Sequence, residues 1–169
     1  MKTSYNIFQD SYANKGNLKG QIVMVLFRIA HLATISNTAK IFMIPYLIFY
    51  RIFVEWFLGI EIQYPVKIGP GLKLWHGQAT VIHQSTTIGA NCTLRQCTTI
   101  GNKRNADGSK SSGAIIGNNV DIGAGVYIIG NIKIQSNCVI GAGTIITKDF
   151  DEAAIIVGNP GRILRSLGI

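Results

Sequence analysis

The sequence predicts a mainly β protein, a parallel β-helix of hexapeptide repeats preceded by an α-helical N-terminal segment. Three observations carry this. Isoleucine returns every six residues at Ile116, Ile122, Ile128, Ile134, Ile140 and Ile146, a period that neither a helix nor a hairpin has. Four residues after each of the first five stands a small or β-branched side chain (Val120, Val126, Ile132, Cys138, Thr144), and glycine follows the isoleucine at 117, 123 and 141. Ahead of Gly59, apolar residues recur instead at helical spacing. In such a stack each hexad lays one short strand on one flat face, its isoleucine points inward, and the residue four on fills the corner. No single hexad can bury a core; stacking makes the core continuous.

Residues 1–59 form the N-terminal helical segment, and 1 to about 18, polar and turn-rich, are expected to be a loose lead-in. From Gln21, Ile22, Val25, Leu26, Ile29, Leu32 and Ile35 predict a helix punctuated by Arg28 and His31 and stopped by Ser36 and Asn37. A second helix is expected from about Thr38 to Leu58, ended by Gly59, with Pro45 interrupting its start and Arg51 and Glu55 paired four apart. Its core, Ile41 to Phe57, is long enough to suggest a membrane span. The charged pair and the proline favour packing on the β-helix or on a neighbouring subunit, with contact at a membrane surface as the alternative.

After Gly59 the register runs through Ile62, Ile68 and Leu74, with Val66 and Leu72 four on, and then slips. The next set in phase is Ile82, Ile88, Leu94 and Ile100, so two extra residues should bulge out between Trp75 and Val81. Ile100 and Ile116 are sixteen residues apart, which expels about ten as a flexible, net-basic loop, Asn102 to Ala114. Departures from a strict repeat are where a rigid solenoid carries its function. The β-helix is thus bounded at 60–157 with the protruding loop 102–114; repeats end near Thr147, and 148–157 are a last irregular turn. Residues 158–169 make a tight turn, Gly158-Asn159-Pro160-Gly161, and a short basic tail.

A chain of 169 residues with 47% apolar content can bury a sizeable core. Its net charge of +8 calls for an anionic partner: a phosphorylated cofactor, an acidic glycan, a membrane surface or nucleic acid. Nucleic acid is disfavoured, since no RNP-type motif, zinc finger or basic heptad is present. Of the three cysteines, Cys92 and Cys138 fall on four-on positions and read as buried thiols of a reducing compartment, not as disulfides or metal ligands. No metal is expected, because His31 lies in the helices and leaves only His76 and His83. The start of the sequence has neither an early apolar run nor a cleavage site, so a cytoplasmic location is expected, at most peripheral to the inner face of the membrane.

From Gly59 to about Leu164 the chain resembles the serine acetyltransferase family of hexapeptide-repeat acyltransferases. The resemblance is carried by IEIQYPVKIGPG after Gly59, LWHG around His76, VGNPGRIL near the end, and two Gly-Ala-Gly triplets, Gly123 to Gly125 and Gly141 to Gly143. These answer to the family's Ile-Asp-Ile-His-Pro, Leu-Asp-His-Gly and Gly-Val-Pro-Ala-Arg patterns. The chain is more closely similar to the short colanic acid biosynthesis acetyltransferases, because RIAHL and PYLIFYRI extend the likeness into the helices. The resemblance implies a left-handed coil of three hexads, a homotrimer with active sites between subunits, and acetyl-CoA as co-substrate.

It also implies roles for residues. His76, in the bulge beside Gly77, stands at the family's catalytic histidine, and an imidazole titrating near neutrality is the natural base for a hydroxyl. Glu61, fifteen residues earlier, stands where the family has the aspartate that orients this base. Backbone amides near Gly101 and Asn102 are candidate oxyanion donors, with Asn102 near the thioester. Ala124 and Ala142 are the pair that would line the pantetheine arm. Lys148 and Arg162, after the last cofactor-type coil, are candidates for the cofactor's phosphates or an acidic glycan, ahead of Lys103, Arg104 and Lys110 in the loop. His83 is expected at the surface or an interface.

Three departures bear on the acceptor. Trp75 replaces the family's aspartate, and Ser112 and Gly113 align with an arginine and a second histidine that help hold the amino acid. Without those charges little clamps a zwitterion, whereas Trp75 suits the apolar face of a sugar ring. The expected activity is acetyl transfer from acetyl-CoA to a sugar hydroxyl of a surface polysaccharide or its lipid-linked precursor, by direct His-assisted transfer. The alternatives are serine O-acetylation, in whose favour stands Ile169, since the family docks a C-terminal isoleucine into cysteine synthase, and a non-catalytic hexapeptide scaffold.

Overall fold

The computed structural model describes residues 5–105 and 107–168, so the expectation for Ile169 lies outside the described residues. The first coil is β1 (Ile60–Ile62), β2 (Lys67–Ile68) and β3 (Lys73–Leu74), and the second is β4 (Thr80–Ile82), β5 (Thr87–Ile88) and β6 (Thr93–Leu94). The third is β7 (Thr99–Gly101), β8 (Ile115–Ile116) and β9 (Asp121–Ile122); the fourth is β10 (Tyr127–Ile129), β11 (Lys133–Ile134) and β12 (Val139–Ile140). β13 (Ile145–Ile146) and β14 (Ala154–Val157) complete a fifth, and β15 (Arg162–Ser166) turns back antiparallel on β14. Like strands of successive coils pair in parallel, giving faces ordered β1-β4-β7-β10-β13, β2-β5-β8-β11 and β3-β6-β9-β12-β14.

The slips in the repeat appear as register. Glu61 pairs with Val81, twenty positions on; Val81 with Thr99, eighteen on; Thr99 with Tyr127, twenty-eight on; and Tyr127 with Ile145, eighteen on. The excess over eighteen is the two-residue bulge and the ten-residue loop. Both are expelled because the inward column Ile62, Ile82, Ile100, Ile128, Ile146 must stay aligned, and all five are fully buried. One corner turns on left-handed residues, Asn91, Asn119 and Asn137, the non-glycine type that best tolerates positive φ, and Asn119 Nδ2 donates to Asn137 Oδ1 at 2.9 Å.

Four expectations are corrected. The described part of the lead-in, from Tyr5, is not loose, residues 1–4 lying outside the described residues: Asp10 and Asn14 are buried against β3, the edge strand of its sheet. Leu72 N donates to Asp10 Oδ1 and Leu74 N to Asn14 Oδ1, both at 2.9 Å, while Asn14 and Asn17 donate to Leu72 O and Leu74 O at 2.7 Å. These side chains stand in for the strand that an edge lacks. The first helix, α1 (Leu18–His31), is capped by Asn17 and turns Val23, Met24, Phe27, Arg28 and Ala30 inward, leaving Ile22 exposed. Being apolar on most sides, it gives no period that selects the buried face. The second helix divides into α2 (Asn37–Phe42), α3 (Ile44–Tyr50) and a π-helical segment, Arg51–Phe57, with the break at Met43 just ahead of Pro45. The last irregular turn and the tail contain strands, β14 in register with β12, and β15.

The expected Arg51–Glu55 pair is present at 3.4 Å, and Cys92 and Cys138 are buried free thiols. Among the described residues, no helix is long and apolar enough to cross a membrane. The loop is tied down as a small hairpin, with Arg104 bridging Lys110 and Ser111 N donating to Lys103 O at 2.7 Å.

Candidate active site

The bulge is built where the ladder is interrupted. Trp75 N still donates to Leu94 O at 2.8 Å, and pairing resumes only at Thr80. Between them His76, Gly77 and Ala79 all have positive φ (61°, 73° and 54°), and Ala79 N donates to Gly59 O at 2.8 Å. Gly77 is buried with φ of 73°, and a methyl there would meet Ile60 Cδ1 at 3.0 Å, so a side chain there needs both a left-handed backbone and a small shift of Ile60. His76 is thrown outward and exposed, its ring 6.1 Å from that of Trp75. Lys73 Nζ lies 4.5 Å from the Trp75 ring centroid. In the orientation that satisfies its neighbours, the Gln78 amide donates to His76 O at 2.7 Å and accepts from Lys19 Nζ at 2.8 Å. Helix α1 thereby reaches the bulge, and burial holds the Lys19 ammonium below its ordinary pKa.

Glu61 points outward between buried Ile60 and Ile62. Its Oε1 accepts from Gln63 Nε2 at 3.2 Å, and Gln63 Oε1 accepts from Gln84 N at 3.0 Å. Among the described residues, no hydrogen bond joins Glu61 to His76. Burial pushes the Glu55 carboxyl above its usual range, aided by the Glu61 charge and opposed by Arg51. His83, half-buried, stands one coil above Gln63 in register, with Nδ1 2.7 Å from Ser85 Oγ. Gly113, at the base of the loop, packs so closely over Ser85 that any side chain would overlap it. Gln63 and Ser85 were not singled out by sequence reasoning. The signal for Gln63 was its place two residues after Glu61, just past the end of β1, which keeps both side chains on one side while the chain stays extended.

Register sorts the expected site residues onto two corners. Leu74 aligns with Leu94, and Gly125 N donates to Gln96 O and Gly143 N to Ala124 O at 3.0 and 2.9 Å. Cys97 N likewise donates to Gln78 O at 2.8 Å, so Gln78, Gln96, Ala124 and Ala142 follow one another up a single corner, with His76 bulging out at its foot and the two Gly-Ala-Gly triplets directly stacked. A methyl on Gly123 would come within 2.6 Å of Ala142 N. Arg162, paired with Val157 at the top, belongs to the same corner. Gly101, Asn102 and Lys148 lie along the next corner, where Gly130 N donates to Gly101 O at 2.9 Å and Ile128 aligns with Ile146. Glu61 sits on the face between the corners, which are separated by about six residues of extended chain, roughly 20 Å at most.

A stack of hexads with this corner defines a hexapeptide-repeat transferase. The model of the family described as bacterial transferase hexapeptide (six repeats) matches residues 113–148. The putative colanic acid biosynthesis acetyltransferase WcaB of Escherichia coli (strain K12) is 33% identical over 161 residues, covering 93% of this chain and 98% of that protein. The serine acetyltransferase of Staphylococcus aureus (strain Mu50) is 40% identical over 115 residues, 68% of this chain and 53% of that enzyme. The soybean serine acetyltransferase apoenzyme superposes with a TM-score of 0.78 at 26% identity, over 92% of this chain and 66% of that one. This chain thus spans about half of the staphylococcal enzyme and just under two thirds of the soybean one. It belongs to the hexapeptide-repeat acetyltransferase family and is an acyltransferase.

Proposed function

We propose that this chain transfers an acetyl group from acetyl-CoA to a sugar hydroxyl of a surface polysaccharide or its lipid-linked precursor, in the cytoplasm. The observation that carries this is the bulge: an exposed His76 beside a Lys73-backed Trp75, at the foot of the corner formed by Ala124 and Ala142. His76 takes the hydroxyl proton as the oxygen attacks the thioester carbonyl. The oxyanion is met by amides near Gly101 and Asn102, and the expelled thiolate recovers the proton from the imidazolium. Glu61 orients and stabilises that imidazolium, for which it must exchange its bond from Gln63. The pantetheine arm lies over Ala124 and Ala142, with Arg162 and Lys148 toward its phosphates. Division of these residues between two corners supports a site completed by a second copy, in a homotrimer. A lipid-linked acceptor would be presented at a membrane surface, and the N-terminal helices are the region suited to contact it.

Serine O-acetylation is the second reading, favoured by the staphylococcal similarity and disfavoured by Trp75, Ser112 and Gly113. The test is thiol release from acetyl-CoA against L-serine and against a panel of hexoses and oligosaccharides, with His76→Ala alongside. Release with sugars alone, lost in the variant, is expected. Release with serine at enzymatic rates would replace the sugar reading.

A further inference from the structure

We propose that the outward face of α2, α3 and the π-helical segment docks on an anionic lipid bilayer and lies flat in its interface. The inference stands apart from the identity of the acceptor. The run from Asn37 to Phe57 is apolar on both sides. The inner side of its second half is spent: Tyr50 and Val54 are fully buried, and Tyr50 donates to Ile62 O at 2.8 Å, while α2 buries no residue. Its outer side carries Ile41, Phe42, Ile48, Ile52, Trp56 and Phe57, each between 51% and 81% exposed. A helix apolar all round is ordinarily covered all round. Six such side chains leave on the order of several hundred Å² of apolar surface open, the scale at which a patch marks an interaction site.

Charge and length select the occupant. No acid occurs from residue 11 to residue 54, whereas Lys15, Lys19, Arg28, Lys40 and Arg51 do, and the whole chain carries +8. The next acid, Glu55, is taken by Arg51. A second copy seated symmetrically would set this patch on itself, with Lys40 facing like charge and no acid to receive it. Anionic headgroups supply the missing sign, and aromatic residues at both ends of the run suit the headgroup level. Pieces of six and seven residues are too short to span, so the face lies on the bilayer.

The purified assembly should be sedimented with vesicles of phosphatidylcholine alone and of phosphatidylcholine with phosphatidylglycerol. Sedimentation with the anionic vesicles, weakened by salt, is expected. Phe42→Ser with Trp56→Ser should lower partitioning on the order of tenfold or more, and Lys40→Glu several-fold on the anionic vesicles alone. All three side chains are exposed, so the melting temperature should hold. Tryptophan emission should shift to the blue with anionic vesicles and lose that shift in Trp56→Phe. Failure to sediment with either vesicle, or an unchanged blue shift in Trp56→Phe, would overturn the proposal. So would a double variant that alters the mass of the assembly in light scattering while leaving sedimentation intact, which would assign the face to a second copy.

Discussion

Arg28 is a fully buried cation whose every direction is engaged. Its Nε meets Asp10 at 2.7 Å, and its terminal nitrogens donate to Ile68 O and Gly69 O at 2.6 and 2.7 Å. Since Asp10 also receives Leu72 N, the pair joins the lead-in, α1 and the first coil at one point. Arg28→Met strands a buried carboxylate and two carbonyls, for a loss of about 3–5 kcal/mol, read as a lowered urea midpoint. The cysteines divide differently. Burial pushes the Cys92 and Cys138 thiols up, while Cys97 is exposed. Brief alkylation of the native protein at neutral pH should therefore modify Cys97 alone, as mass spectrometry of the peptides will show. The folded chain holds the two buried protons more tightly than the unfolded one. Their contribution is present below the unfolded thiol pKa, about 8.5, and is lost as pH rises through the higher folded values. The urea midpoint should accordingly fall more steeply above pH 9 in the wild type than in Cys92→Ala with Cys138→Ala.

At the scale of elements, the corner of the two triplets distinguishes two uses of glycine. Gly143 has φ of 70° and open space around it, whereas the direction in which Gly123 would grow a side chain is blocked by the backbone of Ala142. Gly123→Ala must push adjacent coils away from each other, an overpacking cost of about 1–3 kcal/mol that should lower the melting temperature. Gly143→Ala costs only its left-handed conformation, about 1 kcal/mol, but sets a methyl on the surface assigned to the pantetheine arm. The expected outcome there is a raised KM for acetyl-CoA with a nearly unchanged melting temperature; an unchanged KM would move the arm elsewhere. The strands, bulge and loop were legible because buried isoleucines enforce one period, and any residue that breaks it must leave the stack. The lead-in was not legible. Asp10, Asn14 and Asn17 act through side-chain bonds to a strand edge more than fifty residues away, and such bonds have no period. The buried face of α1 was equally hidden, because apolar residues nearly all round it outnumber the side that packs. At the bulge, His76 and Trp75 were visible from their place in the slip, but Gln78 and Lys19 meet only once α1 has folded onto β3.

The whole molecule places the proposed base and the proposed oxyanion donors on different corners, His76 where β3 passes to β4 and Gly101 at the end of β7, one coil further on, and this sets the last expectation. If one copy supplies His76 and Trp75 and the next supplies Gly101, Asn102 and the loop, a chain lacking either half is inactive alone but complementary to its counterpart. One partner would be His76→Ala; the other would carry Asn102→Pro, which removes that amide donor, together with a short glycine linker in place of residues 103–111, a segment whose hydrogen bonds are mostly internal. In randomly assorted trimers, each mixed assembly regains one intact interface of three, so co-expression should restore about a quarter of wild-type activity. Refolding the same variants separately and mixing the finished assemblies should restore little, because closed rings exchange slowly. A site contained within one chain predicts background activity in both experiments. In that event His76 and Asn102 would have to act across a face of the stack, from corners one coil apart.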